Sequence, residues 1–528
     1  MELAILSARV FTGDSRRPWA EALLVRDGRI AEVGANQGIR RACRGSAAQV
    51  LELPGSLITP GLVDAHCHFG YLGLALAAVD LRGQPSLLAC RERIREAAAA
   101  RKPGEWILGR GWDQFQWEEP REPTLEDLDD VTPHSPAMMV RACGHSVWVN
   151  SLALARAGIT RDTPDPPGGR IERDTASGEP NGLVREARHL IERVVPPPTE
   201  EDWKDAILAS QRESLRVGLT GVHSFETLQQ WGAMRALEEE GKLKIRVHCS
   251  IQGYELEKAA SLGLKPGSGS DRLWLGHVKL FADGSLGSGT ALLHEPYADD
   301  ASQSGIAVTS LDDLREGVER AYRYGYGVAI HAIGDKAATH SLAAIAGARE
   351  KIPGERRDRI EHVQLLRPED MPLFRELGVV ASVQPVFLPT DWRVAEERWG
   401  KARCRRGGYA WKSILEAGIP IQFGSDAPVE PNDPRLGLQA AVARQTTAGE
   451  PEGGWMPEQQ LTLEQAIKGF TEVAAWTARR EENLGTIAPG RRADLTVFEE
   501  DLFQVPARDW PSVAVKMTIV DGEPVHPE

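Results

Sequence analysis

The chain has 528 residues, 41% of them hydrophobic and 26% charged, with a formal net charge of -14 at pH 7. At ~100–200 residues per domain this length suits about three units, or fewer if one is a large barrel, with a sizeable buried core. Acidic residues spread along the chain argue against nucleic acid as a partner, and no apolar run approaches the ~18 residues of a membrane span. The opening Met1-Glu2-Leu3-Ala4-Ile5 lacks the basic flank and apolar stretch of a secretory leader, so a cytoplasmic protein is expected. Cys43, Cys67, Cys90, Cys143, Cys249 and Cys404 form no C-x-x-C pair and read as free, mostly buried thiols.

Short strands open the chain at Leu3 to Phe11, Ala22 to Val25 and Ile30 to Val33, with a turn at Asp27-Gly28. Similar strands close it at Asp494 to Phe498 and Val513 to Val520. Neither end alone could bury a face, so residues 1–56 and 484–528 are expected to pair into one small β-sandwich.

Between them, over residues 57–483, apolar strands alternate with amphipathic helices. Eight strand candidates run Leu57 to His66, Leu219 to Ser224, Ile245 to Ile251, His277 to Ala282, Gly327 to His331, Arg359 to Val363, Val379 to Gln384 and Ile419 to Asp426. Eight such units in series predict an α/β fold, a (β/α)8 TIM-like barrel, with its chemistry at the C-terminal ends of the strands. Thr199 reads as the cap of a helix that Gly218 closes, and another helix spans about Asp312 to Tyr324. The gap after the first strand is too long for one crossover, so residues 72–195 are expected to form an insertion that shapes substrate specificity. It holds a helical stretch at Ser86 to Ala100, the segment Trp106 to Trp117 and a strand-like Ala137 to Cys143.

The strongest chemical signal is Pro60-Gly61-Leu62-Val63-Asp64-Ala65-His66-Cys67-His68, an apolar strand that ends in H-x-H. Alternation puts His66 and His68 on one face, so both imidazoles can converge on one ion. Later strand ends carry Lys279, His331, His362 and Asp426. Taken singly, each has a plain explanation as a core histidine or a turn cap; the joint occurrence on five strands is what is specific.

With these residues in place, the chain resembles the amidohydrolase superfamily, nearest the amidohydrolase family 3 or YtcJ-like branch that includes N-substituted formamide deformylases. The resemblance covers nearly the whole chain and extends to Gly109-Arg110-Gly111-Trp112-Asp113, the Arg141 to Leu154 stretch with His145, Asp283-Gly284-Ser285-Leu286-Gly287, and Leu484-Gly485-Thr486-Ile487-Ala488-Pro489-Gly490. It implies that His66 and His68 bind one metal, His331 and His362 a second, that Lys279 bridges both as a carbamate formed with carbon dioxide, and that Asp426 completes the first site. A site with one metal is the alternative if Lys279 stays unmodified. Imidazole and carboxylate donors suit zinc, with Fe, Mn or Co able to take its place. The implied reaction is hydrolysis of a non-peptide C–N bond, in an amide or N-substituted formamide, by metal-activated hydroxide, with Asp426 as general base and then acid.

His145, Trp112 and Asp283 are the candidates for contact with a small-molecule substrate, although for Asp283 the start of the Asp283-Gly284 turn is the favoured reading. His223, His248 and His277 read as packing or supporting histidines. Trp106, Trp112, Trp117 and Trp148 are either the core of the insertion or the wall of an apolar pocket. The stretch Trp392 to Trp411, with Arg403 and Tyr409, could add a lid. A homodimer is expected. A metal-dependent isomerase or lyase on the same barrel, and an inactive scaffold, are the competing readings, and the scaffold would be expected to have lost ligands.

Overall fold

The computed structural model describes residues 2–142 and 144–527, so the thiol state expected of Cys143 lies outside the described residues. The other five cysteines are free. The chain divides into two compact units, residues 1–72 with 207–528 and residues 73–206.

The first unit is built on eight parallel strands: β1 (Leu62–Cys67), β2 (Leu219–Glu226), β3 (Arg246–Gln252), β4 (Leu273–Phe281), β5 (Gly327–Ala332), β6 (Arg359–His362), β7 (Val380–Val383) and β8 (Ile421–Phe423). Each pairs with the next in chain order. Near-continuous burial, complete over Leu219–Glu226, is what a parallel strand covered on both faces requires. The sheet nearly closes into a barrel where the chain after β8 returns to β1. Cys67 bridges Ala427, and the Asp426 N–H donates to the His66 carbonyl at 2.6 Å. A Cβ at Gly424 would lie 2.4 Å from the His66 nitrogen, so only glycine permits this approach.

The apolar run expected as one strand from Leu57 to His66 divides in two. Leu57–Pro60 pairs with Leu495–Phe498, and Leu62–Cys67 begins the barrel. The break falls at Gly61, whose N–H donates to the Asp494 carbonyl at 2.8 Å and where a Cβ would stand 2.2 Å from Thr220 Oγ1. Periodicity alone shows no such break in a continuously apolar segment.

The two chain ends form a four-stranded sheet (Arg29–Gly34, Ala22–Arg26, Glu2–Leu6, Gln49–Glu52) and a six-stranded one (Glu523–His526, Val515–Val520, Leu495–Phe498, Leu57–Pro60, Arg9–Phe11, Trp19–Ala20). Ser7, at φ 60°, lets the first segment leave one sheet and enter the other. Leu3, Ile5, Leu23 and Val25 of the first pack in one apolar cluster with Val10, Ile58, Leu495 and Ile519 of the second. Arg246 of β3 is buried against the terminal residues Asp494 and Asp521, at 2.5 Å from each.

The second unit carries its own six-stranded sheet, in the order Arg170–Arg173, Pro180–Arg185, Ser146–Val149, Ala137–Arg141, Ile107–Trp112, Val79–Asp80. The helix Leu87–Ala99, capped by the Ser86 hydroxyl that accepts from the Ala89 N–H, adds apolar residues to the core beside it.

Candidate metal centre

β1 delivers His66 and His68 to the C-terminal rim, and the return of the chain after β8 brings Asp426 between them. Asp426 Oδ1 stands 3.3 Å from His66 Nε2 and 3.2 Å from His68 Nε2. The ligating atoms of these three residues lie within 4.8 Å of one another. The remaining strand ends complete the cluster. The His362 ring lies 4.9 Å from that of His66 and 4.4 Å from that of His331. Lys279 Nζ sits 4.2 Å from the centre of the Phe225 ring, which itself is 4.5 Å from the His66 ring. All six residues expected as ligands therefore gather at one rim.

Electrostatics suit an ion here. Burial pushes the His331 imidazole down to about 4, and burial together with His331 and His66 holds His362 well below the ordinary histidine range. Both rings are thus neutral, the state in which imidazole can ligate. Burial alone would raise the Asp426 carboxyl, but the neighbouring His66, with His68, holds it well below its ordinary value, so it is ionised. Burial lowers the Lys279 ammonium to about 8, against the opposing pull of Glu361 and Asp426. Among the described residues, His66 Nε2 is buried with no hydrogen-bond partner despite its closeness to Asp426, and His362 Nδ1 is likewise unpartnered. Orphaned buried nitrogens beside an ionised carboxylate are what a metal would satisfy, so the residues fit one.

Further residues to which the sequence motifs give no role support these ligands. Glu361 Oε2 lies 2.6 Å from His66 Nδ1 and accepts its N–H, which leaves Nε2 with a lone pair toward Asp426. Gln384 Nε2 lies 3.2 Å from the same Nδ1, but an amide nitrogen only donates and cannot take this proton, so the nearer, charged carboxylate sets the tautomer. The fully buried Arg359 grips Glu361 from the other side, and its Nη1 lies 3.1 Å from His223 Nδ1. Asp64 accepts from the backbone N–H of His66 at 3.1 Å and of Ser425 at 2.9 Å, joining the two halves of the site. A carboxylate beside a strand-end histidine is the sequence signal that could have found Glu361.

Asp283 is buried and accepts from the backbone N–H of Leu292, Ile333 and Gly334, with Oδ1 3.6 Å from His331 Nε2. Burial pushes its carboxyl up to about 7 against those three donors. It fastens the loop beside His331. His223, His248 and His277 pack edge to face in the barrel interior, at ring separations of 4.6 and 5.2 Å. In the second unit, Trp112 is 1% exposed and its indole N–H donates to the Met139 carbonyl, so this side chain belongs to the core with Trp117 and Trp148. His145 is exposed, its Nδ1 3.0 Å from Glu186. The stretch from Trp392 to Trp411 contains most of the helix Leu388–Trp399 and the helix Lys401–Gly407, and Tyr409 donates to Asp391 at 2.6 Å.

Comparison with known proteins agrees with this architecture. A profile of the amidohydrolase family matches residues 49–526. YtcJ of Bacillus subtilis, named as an amidohydrolase, is 35% identical over 520 residues that cover 96% of each chain. The N-substituted formamide deformylase of Arthrobacter pascens is 29% identical, over 99% of this chain and 97% of its own. The crystal structure of an uncharacterized metal-dependent hydrolase from Pyrococcus furiosus superposes with a TM-score of 0.80 at 31% identity, over 95% of this chain and 99% of its own.

Proposed function

Because this chain belongs to the amidohydrolase family, we propose that it is a metal-dependent hydrolase that cleaves a non-peptide C–N bond, in an amide or N-substituted formamide. One observation carries the reading: the ionised Asp426 stands within 3.3 Å of Nε2 on both His66 and His68.

His66, His68 and Asp426 would hold one ion, with zinc the best match to the donors. His331, His362 and a carbamate on Lys279 would extend the set to a second. The lowered ammonium of Lys279 supports this, since only the neutral amine combines with carbon dioxide. When bound, such an ion lowers the pKa of water toward ~7 and polarises a carbonyl oxygen. Asp426 takes the proton from the attacking water and returns it to the leaving nitrogen. Glu361 keeps His66 in the tautomer that presents Nε2, and Asp64 fixes the spacing between β1 and Asp426. Asp283 positions His331.

The domain plan is part of the same proposal. The shared core of the two terminal sheets supports a β-sandwich domain at residues 1–56 and 484–528, and a separate sheet supports residues 72–195 as the insertion that shapes specificity, His145 being its exposed polar candidate for substrate contact. The five free cysteines agree with a reducing cytoplasm. A homodimer that acts on a small-molecule substrate completes the reading.

The test is incubation of zinc-loaded protein with a panel of N-substituted formamides and acyl amides, with product masses measured. Hydrolysis yields an amine and an acid whose summed mass is that of substrate plus one water. A product of unchanged mass would assign an isomerase instead, and no turnover across the panel would favour a scaffold.

A further inference from the structure

The barrel has a second concavity, at the N-terminal ends of its strands and so at the end opposite the metal centre. It measures about 330 Å³, at the lower end of cavities that hold small ligands. Its lining includes His248, His277, Trp274, Arg356, Arg357 and Arg480, and no acidic side chain among the described residues.

Cation chemistry dominates this wall, although the protein as a whole is acidic. Arg357 is matched by Glu481 at 2.5 Å. Arg356 and Arg480 pair with no carboxylate among the described residues. The Arg480 guanidinium lies over the Trp274 ring at 4.6 Å, and that of Arg356 over Tyr322 at 3.9 Å. Stacking covers one face of each group and fixes its plane. Arg356 Nη1 donates to the carbonyls of Ile352 and Gly354 and its Nη2 to that of Tyr322, so its Nε is the nitrogen left without a partner among the described residues. Among the described residues the Arg480 side chain makes a single hydrogen bond, to the Arg479 carbonyl at 3.3 Å. Most of its donors are therefore uncommitted.

Unpartnered polar atoms concentrate here as well. His248 Nδ1, His277 Nδ1 and the Nε atoms of Arg356, Arg357 and Arg480 are all buried without a hydrogen-bond partner among the described residues. The two histidines are 1% and 4% exposed. His277 Nε2 donates to the Arg357 carbonyl at 2.9 Å, so its Nδ1 is an acceptor. The three arginine N–H groups are donors, and buried donors, which seldom stay unmet, point to a ligand that brings acceptors. His277 also lies two residues before Lys279 on β4, so the cavity shares a strand with the metal centre.

We propose that this cavity binds a small oxyanion, the carboxylate or phosphoryl group of a metabolite, with Arg480 as its main anchor and Arg356 as its second. The planar donor fork of arginine matches either group with paired hydrogen bonds. The site is separate from the hydrolytic one and does not depend on what reaction occurs there.

Calorimetric titration of the metal-loaded full chain with inorganic phosphate, and separately with acetate, tests the assignment. One anion or both should bind saturably, and Arg480→Gln and Arg356→Gln should each weaken binding by about tenfold or more while metal content is kept. Heat from phosphate alone assigns a phosphoryl ligand, and heat from acetate alone a carboxylate. Binding equal in wild type and both variants, as for an anion held at the metal centre, overturns the proposal, as does absence of binding by both anions. Should the variants not fold, selenate soaked into wild-type crystals must give an anomalous peak beside Arg480, and an empty cavity there has the same negative force.

Discussion

The carboxylate of Glu361 lies 2.6 Å from Nδ1 of His66, and neither group has contact with solvent. A buried, ionised acceptor behind a metal-facing imidazole fixes both its tautomer and its direction. Arg359 in turn compensates the charge of Glu361, so the rim histidine rests on a chain of charge-assisted contacts.

Glu361→Gln should therefore lower metal affinity by about 10–100-fold while the barrel stays folded. Competition with a chromophoric chelator measures this. Affinity equal to wild type would mean that Glu361 does not orient His66.

Gly424→Ala should damage the same site from the other side. The added methyl would stand 2.4 Å from the His66 nitrogen and 2.6 Å from its Cβ, where the barrel closes. A loss of about 1–3 kcal/mol in urea denaturation is expected, with a reduced metal content. A variant as stable and as well metallated as wild type would show that the closure at Asp426 is loose.

How much of this was legible in sequence depended on whether regular geometry held. His66 and His68 could be paired because strand periodicity places alternate residues on one face. Glu361 and His362 are consecutive, so the same rule sends them to opposite faces, yet both reach the centre. The reason is that His362 leaves the extended conformation at φ 75°, and Asp426 does likewise at φ 62°. Aspartate and histidine enter this region more readily than most residues, but nothing local in the sequence marks which of them will. The tryptophans of the insertion could not be divided between core and pocket from spacing, because both uses ask for the same side chain; burial of Trp112 decides it. The break at Gly61 was hidden for a related reason: both halves of the segment are apolar, and each is buried in a different sheet.

Acid should loosen the join between the barrel and the terminal strands. Burial would raise the Asp521 carboxyl, but Arg246, Arg272 and Arg492 hold it below its ordinary value. A carboxylate with a depressed folded-state pKa adds stability above its unfolded value of about 3.9, and that contribution fades as pH falls through the folded-state value. The difference in melting temperature between wild type and Asp521→Asn should be full near neutrality and shrink below about pH 4. A difference that does not change with pH would exclude the ion-pair account.

The thiols should differ in reactivity by burial. Burial raises Cys90 to about 11 and Cys404 to about 12, and holds Cys67 and Cys249 well above the ordinary range. In a Cys143→Ser background at pH 7.5, about one thiol, Cys43, should react with an aromatic disulfide before denaturant is added. Rapid labelling of Cys67 in the native protein would contradict its buried position behind the two rim histidines.

The central claim is tested most directly by anomalous diffraction at the zinc edge from crystals of zinc-loaded protein. The account predicts a peak at about 2.0–2.2 Å from Nε2 of His66 and His68 and from a carboxylate oxygen of Asp426. Zinc bound in stoichiometric amount but away from these three residues would contradict it.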